Sequence, residues 1–94
     1  MYSLTVSNKQ PNVNEPVVLT LTDKSSNNEY SFYCIDSNNN KEIIGYYSEN
    51  NFVSWIPDKD GVYTVYGIVK NMKNGDEVLS QPVVITSKFK DNIK

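Results

Sequence analysis

The sequence predicts an all-β protein, folded as one antiparallel β-sandwich of about seven strands. Three observations favour this class. The 94 residues include no Ala and four Leu but seven Tyr and many Val, Ile and Thr, so strand-forming residues replace the best helix formers. Short runs alternate apolar and polar residues, as strands with one buried face do. Thirteen Asn and ten Ser supply the turns between these runs.

The first three strands are predicted where apolar residues occupy every second position, over Tyr2–Ser7, Val17–Thr22 and Tyr30–Asp36. Loops rich in Asn, Ser and Pro separate them. In the third strand Tyr30 and Phe32 have the same parity and are expected to face the core. The intervening residue Tyr33 is expected to face the opposite way.

The remaining four strands follow the same alternation, over Lys41–Ser48, Phe52–Ile56, Val62–Asn71 and Glu77–Thr86. The pair Asn74-Gly75 predicts a tight hairpin of type I′, which needs two residues at positive φ. Pro82 lies inside the last strand, which suits an edge strand or a bulge because proline donates no ladder hydrogen bond. Strands at this spacing indicate a two-sheet sandwich over residues 1–87, with residues 88–94 as a tail or linker.

Composition excludes several classes of function. The formal net charge is -2, which argues against nucleic acid as a partner. The chain has no His, the commonest general base and metal ligand, and a single Cys, which cannot pair within the chain. No apolar run reaches the ~20 residues of a membrane helix, so no membrane insertion is expected. We therefore predict no catalytic residues and no cofactor. We expect Cys34 to be a small buried residue; a reactive thiol is the alternative.

The segment before the sixth strand predicts a tyrosine corner. Gly61 permits positive φ, and the Tyr63 hydroxyl can fold back onto the backbone of the preceding loop. Trp55 offers the largest single burial and is expected in the core, with a sugar-stacking role as the alternative. Asp58 and Asp60 could bind calcium together with Asp36 or Asp76, but two aspartates beside a glycine are ordinary in a turn. We therefore predict no metal site.

These features indicate an immunoglobulin-like or fibronectin-III-like sandwich, and the chain also resembles a particular family. The spacing W-x-P-x-x-x-G-x-Y from Trp55 to Tyr63, within residues 45–71, is similar to triple-tyrosine domains. The three tyrosines that name that family match Tyr30, Tyr47 and Tyr63, with Tyr46 or Tyr33 as replacements. Such modules occur beside two-component sensor propellers and as repeats in clostridial surface or secreted proteins.

The resemblance implies a non-catalytic spacer or interaction module of a larger bacterial surface or secreted protein, extracellular and associated with the cell envelope. Its partners would be neighbouring domains of the parent protein. Two alternatives stay open: a module that binds carbohydrate or peptidoglycan, and an extracellular sensor element of a two-component regulator. As an isolated domain it is expected to be a monomer.

Four tyrosines are the candidate binding residues: Tyr33, Tyr46, Tyr47 and Tyr66. Tyr66 has the opposite parity to Tyr63, so it faces solvent if Tyr63 faces the core. If their strands share a sheet, these rings would form an aromatic patch, and an exposed apolar patch often marks a contact site. The alternative is that the rings only stabilise the sheet by cross-strand pairing.

Overall fold

The computed structural model describes residues 2–23 and 25–90, which form eight strands and no helix. The strands pack as two antiparallel sheets, so the predicted immunoglobulin-like β-sandwich is confirmed. The strands are β1 Leu4–Val6, β2 Val17–Leu21, β3 Asn28–Asp36, β4 Lys41–Ser48, β5 Phe52–Trp55, β6 Gly61–Asn71, β7 Glu77–Leu79 and β8 Val83–Ser87. Of the predicted tail, residues 91–94 lie outside the described residues.

One sheet has the order β1-β2-β5, and the other has the order β4-β3-β6 with β7 and β8 both paired to β6. The predicted last strand is therefore two strands, divided around Pro82. Its register on β6 shifts by one residue between the Ile68–Leu79 pair and the Val65–Val83 pair. Because proline cannot donate to the ladder, the chain bulges at this edge and then resumes pairing.

Alternate residues of both sheets meet in one core between the layers. Its fully buried members include Val17, Leu19, Leu21, Phe32, Val65 and Ile85. Gly67 lies within the inward row of β6, where a Cβ atom would stand 2.5 Å from the side chain of Leu21. A glycine here lets Leu21 of the opposite sheet reach the backbone of β6. The Cys34 thiol is also buried, and burial raises its pKa to about 12.

A tyrosine corner lies at the start of β6. The Tyr63 hydroxyl donates a hydrogen bond to the carbonyl oxygen of Lys59 at 3.0 Å. Gly61 has a φ of 136°, a backbone conformation that side chains disfavour. The rings of Trp55 and Tyr63 meet edge to face, with centroids 5.1 Å apart and planes at 79°. The corner loop is thereby joined to the core of both sheets.

A second buried tyrosine holds the loop between β2 and β3. The Tyr30 hydroxyl donates to Asp23 Oδ2 at 3.0 Å and accepts from the Ser25 backbone N–H at 2.9 Å. The Asn28 side chain donates to the same carboxylate oxygen at 2.7 Å. Burial is the main reason that the pKa of Tyr30 is raised. The loop thus gains in the interior the hydrogen bonds that its polar groups need.

The hairpin between β6 and β7 differs from the predicted type I′ turn. The N–H of Asn71 donates to the Asp76 carbonyl at 2.8 Å, so four residues form the loop. Within it Gly75 has a positive φ of 79° whereas Asn74 does not. The Asn71 side chain accepts from the N–H groups of Lys73 and Asn74 at 2.8 and 3.3 Å. The two-residue prediction was wrong because this side chain stabilises a wider turn.

The chain passes from one sheet to the other after β1. Residues 9–13 run alongside β8 in parallel, with the N–H of Thr86 donating to Lys9 O at 2.8 Å and that of Lys88 to Pro11 O at 3.1 Å. Before β1 and β8 begin, the N–H of Gln81 donates to Tyr2 O at 3.1 Å. Residues 2–13 and 81–88 therefore run side by side in the same direction.

Candidate binding face

The outer surface of the five-stranded sheet is unusually apolar for the solvent side of an antiparallel sheet. Residues that lie directly opposite one another on adjacent strands form rows across this face. One row contains Ile43, Tyr33 and Tyr66, and the next contains Ile68 and Leu79. Ile43 and Leu79 are 40% and 51% exposed. We call this surface the tyrosine face.

A stacked pair of tyrosines lies at the centre of the tyrosine face. Tyr33 and Tyr66 are directly opposite on β3 and β6, and their rings stack with centroids 5.0 Å apart and planes at 12°. Lys41 Nζ lies 4.4 Å from the centroid of the Tyr33 ring. Because β4 and β6 flank β3 on opposite sides, Lys41 and Tyr66 approach Tyr33 from opposite sides. Both faces of the Tyr33 ring are therefore occupied.

These contacts also change the acidity of the Tyr33 hydroxyl. Burial is the largest influence that raises the pKa of Tyr33, and the nearby Tyr66 raises it further. A tyrosine hydroxyl is protonated at neutral pH without any shift, and the raised pKa extends this protonated range further into alkaline solution, so the hydroxyl can donate a hydrogen bond to a ligand.

A second cluster on the same face joins three strands. Tyr47 of β4 extends across the sheet, and Lys70 Nζ of β6 lies 5.1 Å from the centroid of its ring. The Glu77 carboxylate of β7 interacts with the Tyr47 hydroxyl. Burial first, and then this interaction with Glu77, raise the pKa of Tyr47 to about 12. A cation and an anion thus flank a neutral tyrosine, which provides both donors and acceptors beside the apolar rows.

The fourth candidate residue, Tyr46, does not take part in either cluster. It is 81% exposed and lies where β4 bulges between the Tyr30–Ser48 and Phe32–Gly45 pairs. This bulge inserts one extra residue in β4, so the adjacent Tyr46 and Tyr47 together face the single residue Ser31. The structure therefore brings together Tyr33 and Tyr66, places Tyr47 in a separate cluster, and leaves Tyr46 in solvent.

No family model and no curated protein matches this sequence. The resemblance to triple-tyrosine domains accordingly stays a prediction. Its three proposed name-giving tyrosines lie in three different surroundings: Tyr30 in the β2–β3 loop anchor, Tyr47 on the tyrosine face and Tyr63 at the corner.

Sequence reasoning missed the charged partners of these tyrosines. Lys41, Lys70 and Glu77 carry no motif, and they reach the rings only through the register of four strands. Lys and Glu residues on the strands next to these tyrosines could have indicated the contacts. They become informative only once the pairing of the strands is known.

A cavity of about 580 Å³ lies among the loops at one end of the sandwich, lined by Ser25, Ser26, Asn28, Glu29, Glu49 and Met72. Over residues 2–23 and 25–90, no group of three or more Cys, Asp or Glu side chains could hold a metal ion. The same residues include no helix long and apolar enough to span a membrane.

Proposed function

We propose that this sandwich is a non-catalytic accessory module, acting as a spacer and interaction domain in a larger bacterial surface or secreted protein associated with the cell envelope. The observation that carries the proposal is the path of the chain. Tyr2 lies beside Gln81 at one end of β8, and Pro11 lies beside Lys88 at the other. With the rise per residue of a β-strand applied from Gln81 to Lys88, these two ends are about 23 Å apart.

This path suits a module joined in series with other domains. A chain that enters at one end of a sandwich and leaves at the opposite end sets its neighbours in a line, so the module separates them. The tyrosine face then remains on the side of the line, where a partner domain can pack against it. The bacterial and envelope parts of the proposal rest on the resemblance to triple-tyrosine domains.

Detection of the native protein tests the proposal. An antibody raised against this chain should recognise, in cells that carry the gene, a polypeptide much larger than the 10.7 kDa of the chain itself. That polypeptide should fractionate with the cell envelope or the culture medium. A band of about the chain's own mass in the cytoplasmic fraction would overturn the proposal.

A second candidate function, binding of cell-wall carbohydrate, is favoured by the central tyrosines. A sugar ring can stack on an aromatic ring while its hydroxyl groups bond polar neighbours. Since both faces of Tyr33 are occupied, the partly exposed Tyr66 is the ring of the stacked pair that we assign as the platform.

Titration with soluble peptidoglycan fragments tests this candidate. Binding should shift the NMR signals of Tyr66 and its neighbours on β3 and β6. Tyr66→Ala should abolish the shifts, whereas Tyr46→Ala, a matched change at an 81% exposed tyrosine outside the stack, should preserve them. Unchanged spectra at millimolar fragment would remove carbohydrate binding from consideration.

A further inference from the structure

Strand β5 presents an unpaired backbone edge. It pairs with β2 and, within residues 2–23 and 25–90, with no other strand. On β2 the residue Val18 exchanges hydrogen bonds with Ser7, its O accepting from Ser7 N at 3.0 Å and its N–H donating to Ser7 Oγ at 2.9 Å. The Thr20 carbonyl likewise accepts from the Thr5 hydroxyl at 3.2 Å. Val18 and Thr20 therefore direct their backbone groups towards β1.

The partners of these residues on β5 must point the other way. Ser54 is opposite Val18, and Phe52 is opposite Thr20. In an antiparallel pair, residues alternate between hydrogen-bonded and non-hydrogen-bonded positions, and the second kind direct their N–H and C=O groups away from the partner strand. The backbone groups of Phe52 and Ser54 are consequently free to pair with an additional strand.

Except for short length, which the four-residue β5 shares with β1 and β7, the other edges are protected by devices that β5 lacks. The edge strand β4 contains two bulges and begins with the charged residues Lys41 and Glu42. Strands β1 and β7 have three residues each, and β8 is accompanied by residues 9–13. In contrast, residues 51–56 have no charge, proline or glycine. Short length, bulges and charges are the usual means by which sheet edges avoid pairing with other chains.

We infer that β5 pairs antiparallel with β5 of a second copy of this chain. A two-fold axis through Ser54 aligns the free backbone groups of the two strands. The same register sets Phe52 opposite Ile56 of the second copy on the outer face, where these side chains are 53% and 55% exposed. Aromatic and β-branched residues form favourable cross-strand pairs, and the segment contains no like charges to repel. The product is one continuous sheet of β1, β2 and β5 from each copy.

The pairing is weak because the strand is short. An interface of this size falls in the low range for specific association, so we expect a monomer at about 10 μM and a substantial fraction of dimer at about 1 mM. High local concentration is reached where many copies are held side by side. The inference does not depend on the proposed surface function, because it concerns only the edge of β5.

Sedimentation velocity over this concentration range tests the pairing. The mass should rise from 10.7 kDa towards twice that value in the unchanged chain. Ser54→Lys, which sets two ammonium groups against each other at the axis, should keep the chain monomeric. The matched control Thr86→Lys adds the same charge to an exposed residue of β8 and should still dimerise. A monomer at 1 mM, or equal dimerisation of both variants, would contradict the inference.

Cross-linking gives a second readout that does not require a measurable equilibrium. The thiol introduced by Ser54→Cys lies at the axis, so mild oxidation should link two copies faster than it links Thr86→Cys. The native Cys34 is 1% exposed and will not compete. Equal rates for the two variants would overturn self-pairing. A second outcome would also overturn self-pairing. If the chain stays monomeric at 1 mM and an unrelated extended peptide changes the β5 amide signals, the edge accepts a different strand.

Discussion

The Tyr63 hydroxyl shows how one side-chain atom determines the path of a loop. Its bond to Lys59 O closes the corner between β5 and β6, and its ring packs against Trp55. This bond is partly buried, so its carbonyl is less accessible to water than an exposed one, and losing the donor costs more than losing an exposed hydrogen bond. The corner is therefore a point where a small substitution should have a measurable effect.

Tyr63→Phe should lower the free energy of unfolding by about 1–2 kcal/mol, because it removes the donor to Lys59 O and retains the ring. Urea denaturation followed by Trp55 fluorescence measures the change. The matched substitution Tyr46→Phe deletes a hydroxyl from a residue that is 81% exposed and should leave the free energy almost unchanged. If the two variants were equally stable, the corner bond would make no net contribution.

Residue parity explains which parts of the candidate site could be predicted. Alternation alone gives opposite faces to Tyr63 and Tyr66, and the structure has Tyr63 buried and Tyr66 partly exposed on the other side of β6. Parity fails along β4, where two extra residues relative to β3 interrupt the alternation. The face of Tyr47 therefore depends on a bulge, which the sequence pattern does not predict.

Among the strands, the β7–β8 edge shows how a broken ladder is repaired. At the break, the Ser80 hydroxyl accepts from the Gly67 N–H at 2.9 Å, and the Ser80 N–H donates to Gly67 O at 2.8 Å. The side chain supplies the acceptor that a regular strand would have supplied from its backbone. Sequence could indicate an interruption from Pro82, but this exchange of bonds between Ser80 and Gly67 depends on the register.

Two buried serines make this repair testable. Ser80→Ala removes the acceptor of a buried N–H and should destabilise the fold by about 1–3 kcal/mol. Ser87 is 2% exposed and its hydroxyl, within the described part of the chain, has no hydrogen-bond partner. Ser87→Ala should be neutral or stabilising, because it removes a polar group that the interior does not satisfy. Thermal and urea unfolding compare the two variants, and a greater loss from Ser87→Ala would refute this account.

Strand boundaries show the same division between local and distant information. The predicted bounds of Lys41–Ser48 are those of β4, and β2, β5 and β6 differ from their predictions by one residue at one end. Those bounds depend on the turn residues beside them, which are local in the sequence. The order of strands in the two sheets depends on contacts between distant segments, so alternation along the sequence predicts the fold class but not the strand order.

Across the whole molecule, buried and partly buried acids make stability depend on pH. Burial is the first cause of a raised pKa for Tyr30, Tyr33, Tyr47 and Tyr63, and the value for Tyr47 is about 12. The Cys34 thiol is raised from 9.0 to about 12 for the same reason. In the unfolded chain these groups release their protons at lower pH. The unfolded state therefore binds fewer protons than the folded state in alkaline solution.

The sign of the effect follows from this difference. A group whose pKa is raised by folding contributes its full stabilisation below the unfolded pKa, and the contribution is lost as the pH rises through the folded value. The free energy of unfolding should thus be level from about pH 6 to 8, decline from about pH 9 as Cys34 begins to contribute, and decline more steeply between about pH 10 and 12. Urea titrations at each pH measure it. Tyr47→Phe removes one of these ionisations and should give a shallower decline above pH 10 than Tyr46→Phe, since Tyr46 is exposed; identical slopes would show that the Tyr47–Glu77 cluster does not hold the phenol in its neutral form.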